Sequence, residues 1–186
     1  MPLPFPGSEG ASSLFAPPNE ELEVLFAQEF TSLQGKFAFC ENEQDLHLQL
    51  QQLITEKQWT KIYCSEDKWN ATYSNTINLE SCDVSITSCE SLVARTGSIV
   101  LSTANKSGRT VSVYAPIHIC IVYTHQLMFD VKDALLAIKE KYQGKIPSLI
   151  TFATGPSRTA DIEKTLVTGV HGPKEVYCFL VDKQTD

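Results

Sequence analysis

Residues 175–182 read EVYCFLVD, with Val176, Tyr177, Cys178, Phe179, Leu180 and Val181 in unbroken apolar succession. A strand with one wet face alternates apolar and polar residues, so a run without alternation belongs to a strand covered on both faces, as in a parallel sheet. Working back from it, SLITFAT (residues 148–154) reads as a second strand. Before that, Val131, Ala134, Leu135, Ile138 and Tyr142 recur at helical spacing and predict an amphipathic helix ended by Gly144 and Pro147.

The same alternation opens the chain. Leu22, Leu25, Phe26, Phe30 and Leu33 predict a helix closed by Gly35, followed by the short strand KFAFC (residues 36–40). Leu46, Leu50, Leu53 and Ile54 predict a second helix, followed by WTKIYCS (residues 59–65) with Ile62 and Tyr63 at its centre. Three β-rich runs come next, CDVSITS, GSIVLST and PIHICIVYT, with turn residues in TANKSGRT after the second. Ile162 and Leu166 predict a last helix stopped by Gly169. Strands buried on both sides and separated by helices predict a three-layer α/β domain, a largely parallel sheet with helices on both faces. Ligands in such sheets sit beyond the carboxyl ends of strands, where a loop feeds a helix N-terminus, and TFATGPSRTAD (residues 151–161) is expected to lie there.

Size and composition bound the function. A chain of 186 residues with 42% hydrophobic content supplies one core, so residues 20–186 are expected to form a single domain. Residues 1–19, rich in Pro, Gly and Ser, are expected to form a mobile arm. A formal net charge of -7 argues against nucleic acid or an anionic membrane as partner, because both require a basic patch. With no basic leader or long apolar run, no membrane insertion is expected and the expected location is cytoplasmic. The six cysteines show no CxxC pair and read as reduced buried thiols, so this chain is expected to bind no cofactor itself. His47, His118, His125 and His171 show no ligand spacing, so no metal is expected. GxGxxG, GxxxxGK[ST] and GxSxG are all missing from the sequence.

The polar residues concentrate in a few places. After Gly155 and Pro156, Ser157 or Thr159 suits a helix N-cap, and Asp161 and Glu163 complement the positive end of a helix dipole. Capping accounts for all of these except Arg158, a cation that opposes the dipole and needs a partner. That partner is either Asp161 or a bound carboxylate or phosphate, with Thr154, Ser157 and Thr159 completing a cradle at the helix N-terminus. Asp161 and Glu163 stand two apart on the expected helix, so one of them at most faces a ligand, and Glu163 is the candidate acid or base. Arg95, Thr96, Gly97 and Ser98 precede one strand and Arg109 follows its turn, as a polar turn or as a second part of a site. Alternation in PIHICIV places Ile117, Ile119 and Ile121 on one face and His118 with Cys120 on the other, a core position for the histidine. His171, between Gly169 and Gly172, either orders its loop or moves a proton near pH 7.

TGPSRTADIE (residues 154–163), followed by GVHGP and an apolar strand, resembles the C-terminal signature of the LUD domain found in the lactate utilization protein C family. ARTGSIVLS, SGR and APIHICIV stand upstream in that family's order, so the resemblance spans roughly residues 69–182. It implies a fold like that of the sugar-phosphate isomerase and CoA-transferase group. It also implies a role in bacterial growth on L-lactate, as an accessory subunit beside iron–sulfur partner proteins that oxidise lactate to pyruvate. The alternative it leaves open is a stand-alone enzyme or sensor holding a small carboxylate, sugar phosphate or CoA-type ligand at Arg158; a third is a scaffold with an empty pocket. The family's polar signature falls on Thr96, Gly97, Ser98, Arg109, His118, Thr154, Gly155, Pro156, Ser157, Arg158, Asp161, Glu163, His171 and Gly172. Many relatives carry Glu where this chain has Arg95.

Overall fold

The computed structural model describes residues 20–74, 78–105, 110–160, 166–169 and 171–182; the expected arm of residues 1–19 lies outside them. In chain order the elements are α1 (Leu22–Ser32), β1 (Lys36–Cys40), α2 (Glu43–Lys57), β2 (Ile62–Cys64), α3 (Asp67–Tyr73), β3 (Val84–Thr87), β4 (Ser91–Val93) and β5 (Ser98–Ser102). There follow α4 (Val111–Tyr114), β6 (Ile117–Tyr123), β7 (Leu127–Met128), α5 (Val131–Lys141), β8 (Ile150–Ala153), β9 (Arg158–Ala160), β10 (Leu166–Thr168) and β11 (Glu175–Val181).

Five strands form one sheet in the order β1-β11-β6-β3-β2, and every pairing in it is parallel. The apolar run at the C-terminus is β11, lying between β1 and β6. Its alternate residues explain its composition. Tyr177, Phe179 and Val181 pack with Leu46 and Leu50 of α2 and Trp69 and Tyr73 of α3. Val176, Cys178 and Leu180 pack on the other side with Phe26 and Phe30 of α1. Both faces of the strand are covered, so a polar group on either face needs a hydrogen-bond partner, as the Tyr177 hydroxyl has in Lys36 and Glu175.

Phe26 and Phe30, both fully buried, stabilise the α1 side by about 1.5–3 kcal/mol each through apolar burial. The opposite helix α2 starts at Asn42, whose side chain accepts from the Asp45 N–H at 3.0 Å, and stops at Gln58 in the left-handed region.

The α/β layering matches the expectation, with one addition. A second sheet, in the order β7-β4-β5-β8, shares the α1 face of the parallel sheet, and β4 with β5 and β5 with β8 run antiparallel. Leu92, Ile99 and Leu101 point into the shared core. On the far side Val93 and Val100 meet Ala134 and Ile138 of α5. The strand-rich middle of the sequence is therefore split between two sheets.

Where the last helix is expected, both described flanks are strands, and residues 161–165 between them lie outside the described residues. β9 and β10 pair antiparallel, with Arg158 opposite Thr168 and Ala160 opposite Leu166. Ile162 and Leu166 are a thin helical signal, whereas Thr159, Val167 and Thr168 are β-branched and favour extended backbone. Arg158 thus stands on a strand, and the helix N-terminus on which its anion-binding role was expected to rest does not form there.

Candidate functional site

A cavity of about 160 Å³ opens between the two sheets. The parallel sheet contributes His118 from β6 and Val176 from β11; the second sheet contributes Leu101 from β5 and Thr151 and Ala153 from β8. Ser112 and Val113 of α4 close one side, and the loop residues Gly155, Ser157, His171, Gly172 and Pro173 close another. His118 and Val176 are each the second residue of their strands, so the cavity lies at the amino ends of β6 and β11. The expected position beyond the carboxyl ends is corrected accordingly: the quoted polar loop follows β8, a strand of the second sheet.

Backbone hydrogen bonds hold this loop in place. The Ser157 N–H donates to Pro173 O at 2.9 Å, the Gly169 N–H to Ser157 O at 2.9 Å and the Lys174 N–H to Pro116 O at 2.7 Å. Ser157 therefore spends its main-chain groups on neighbouring loops rather than on a helix cap. Gly155 turns the chain at φ +96, and a Cβ there would stand 2.6 Å from Leu33 O, so glycine alone fits against the end of α1. A Cβ on Gly172 would meet the Ser157 Cβ at 2.9 Å, which is how closely the two cavity loops approach.

His118 is 1% exposed and on the same face as Cys120, as alternation predicts. Its Nε2 is 2.8 Å from Thr87 Oγ1. Burial pushes its pKa down to about 4, because the charged ring is not solvated there, so the imidazole is neutral at pH 7. His171 is exposed at the same cavity.

The structure thus gathers His118, Gly155, Ser157, His171 and Gly172 from three separated stretches. Thr154 is exposed just before Gly155, and Arg158 is exposed just after Ser157. Thr96, Gly97 and Ser98 lie elsewhere: Thr96 Oγ1 is 2.7 Å from Ser98 Oγ, and Gly97 packs against the backbone of α1. Arg95, beside them, is paired with Asp130. Arg109, Asp161 and Glu163 lie outside the described residues.

Sequence reasoning missed Ser112 and Thr151. Thr151 was findable, since it stands two residues from Ala153 on one strand face. Ser112 sits in a four-residue helix with no pattern to mark it. Also missed was a polar cluster on the second sheet: the buried Glu90 carboxylate accepts from Lys141 at 2.7 Å, from Tyr142 Oη at 2.8 Å and from the Ser102 hydroxyl.

All six cysteine thiols are buried and unpaired by disulfide. Burial pushes Cys40 up to about 12 and Cys64 up to about 11, and raises Cys178 well above the ordinary thiol value. Thiols so placed are packing groups rather than ready thiolate ligands. Among the described residues no group of three or more His, Cys, Asp or Glu is arranged to hold a metal ion.

A parallel sheet backed by helices, with a second sheet enclosing a polar cavity at its strand starts, defines the class of domain. The fold is shared with a solved DUF162 family protein from Deinococcus radiodurans at TM-score 0.59 and 17% identity, covering 86% of this chain and 96% of that one. The LUD domain family matches residues 55–181, and the chain belongs to that family. A lactate utilization protein C from Anoxybacillus flavithermus is 30% identical, covering 89% of this chain and 82% of that protein. Proteins of the same name from Shouchella clausii and Bacillus licheniformis are 38% and 34% identical over 55% and 70% of this chain. Of those two relatives the chain spans 45% and 56%, about half their length.

Proposed function

We propose that this chain serves bacterial lactate utilization as an accessory subunit without a cluster or other cofactor of its own, working beside iron–sulfur partner proteins that carry electrons from lactate as it is oxidised to pyruvate. The observation that carries the reading is membership of the LUD domain family, with relatives named lactate utilization protein C. The commitment of all six thiols to the core agrees with it, since electron transfer then falls to the partners. A cytoplasmic location is part of the proposal, and no helix among the described residues is long and apolar enough to cross a membrane.

The test is co-expression with candidate iron–sulfur proteins of a bacterial lactate-oxidising system, followed by purification through a tag on this chain. The expected result is a stable complex that converts L-lactate to pyruvate with an electron acceptor, and no turnover by this chain alone. Turnover by the isolated chain would overturn the reading.

A second reading, a stand-alone binding protein or enzyme, is favoured by the cavity that brings His118, Ser157 and His171 together. It no longer draws on a helix dipole at Arg158.

A further inference from the structure

We infer that the cavity at the amino ends of β6 and β11 binds a short 2-hydroxy or 2-oxo monocarboxylic acid, with its alkyl end against Leu101, Val113 and Val176 and its oxygen atoms on the hydroxyls and imidazoles of the opposite wall. The inference rests on the lactate reading for the class of ligand; the cavity supplies the size limit, the apolar side and the hydrogen-bonding wall.

Size comes first. A protein cavity of about 150 Å³ admits benzene, a ligand of about six non-hydrogen atoms. The volume here, about 160 Å³, is of that order. Lactate and pyruvate have the same number of non-hydrogen atoms as benzene, whereas a pentose phosphate or a CoA ester would extend well out of the cavity mouth.

Wall chemistry comes second. Leu101, Val113, Ala153 and Val176 form an apolar side, and Ser112, Thr151, Ser157, His118 and His171 supply donors and acceptors. No acidic residue occurs among the described residues that line it. A purely hydrocarbon ligand would leave the hydroxyls unpaired, and a highly charged one would lack counter-ions.

The third observation is His118 itself. It is a buried imidazole that lines the cavity, held by one nitrogen on Thr87, so it offers a fixed hydrogen-bonding group to whatever enters. Because the ring stays neutral, it serves as a hydrogen-bonding group and not as a counter-ion. The carboxylate of the ligand is therefore expected at the rim, near exposed His171 and solvent, with the 2-oxygen deeper toward His118.

Isothermal titration of the full chain with L-lactate, pyruvate, ribose 5-phosphate and CoA tests the inference. Saturable binding of lactate or pyruvate is expected, with none by the two larger compounds. Ala153→Met fills the space without removing a polar group and is expected to abolish binding while the thermal unfolding midpoint is retained. Ser112→Ala is expected to weaken binding at least tenfold. If Ala153→Met does not fold, Val113→Phe at the 44% exposed edge of the cavity replaces it. Failure of the wild-type chain to bind either acid, undiminished binding in a folded filling variant, or preference for the phosphate compounds would each overturn the site. Partner association is read in a separate experiment, so loss of the site and loss of the subunit reading are distinguishable.

Discussion

Arg95 grips Asp130 with two nitrogens, Nε at 3.2 Å from Oδ2 and Nη2 at 3.0 Å from Oδ1. Asp130 is also the N-cap of α5, and its N–H donates to the Asp133 carboxylate at 3.1 Å. One carboxylate thus ties the turn before β5 to the start of α5. The fork-shaped pair explains why Arg suits position 95, since a Glu there would face a carboxylate. Asp130→Ala is expected to destabilise by about 1–2 kcal/mol, through loss of the cap and the pair together, and Arg95→Ala by less, because the cap survives. Urea unfolding of the two variants checks the order. The guanidinium holds the Asp130 carboxyl below its usual range, so its contribution is present above the unfolded carboxylate pKa and lost as pH falls through the folded value.

Gly97 stands at φ +56, and a Cβ there would lie 2.5 Å from the Phe30 backbone nitrogen. Left-handed backbone costs an ordinary residue about 1–2 kcal/mol before any clash is counted. Gly97→Ala is therefore expected to lower stability by about 2 kcal/mol or more, because the neighbour that must give is helix backbone. The unfolding midpoint measures it, and an unchanged midpoint would contradict the packing role assigned to this glycine.

His118 gives a signed pH dependence. Its pKa in the folded chain is about 4, below the ordinary histidine value of 6.5, so between these values the unfolded chain binds the extra proton. Its contribution is complete above pH 6.5 and is lost as pH falls from 6.5 through 4. Against His118→Gln, the wild type is expected to lose stability more steeply over that window. Chemical denaturation at several pH values reads the difference, and parallel curves would show that the ring is not buried neutral.

Glu90 is 8% exposed, and its carboxylate takes bonds from Lys141, Tyr142 and Ser102. Those bonds hold its pKa down against the opposing effect of burial. Glu90→Ala leaves the Ser102 and Tyr142 hydroxyls without their acceptor and is expected to cost about 2–4 kcal/mol. Lys141→Ala is expected to cost less, because the Lys141 side chain is 55% exposed and already half in water. Thermal unfolding of both variants separates the two.

Some of this was legible without coordinates. The run at 175–181 announced a doubly covered strand, and the facing of Ile119 and Ile121 away from His118 and Cys120 followed from alternation. The ten-residue polar signature located the loop that borders the cavity. What escaped were features with little local signal. β4 and α3 are short, and the hairpin of β9 and β10 hides behind residues that are equally good helix starters. Thr151 and Ser112 join the site only because a second sheet and a four-residue helix close over it.

The sequence by itself determined the periodicities, hence which segments bury one face or two, and it determined family membership through a stretch of specific residues. Those are properties of neighbours along the chain, set by backbone geometry and side-chain size. Tertiary structure alone decided that the strand-rich middle divides between two sheets, that Arg158 lies on a strand, and that His118 meets Ser157 and His171 across a cavity at the amino ends of β6 and β11. These depend on pairing between residues distant in sequence, where hydrogen-bond partners and buried surface are chosen by the whole fold and no local pattern records the choice.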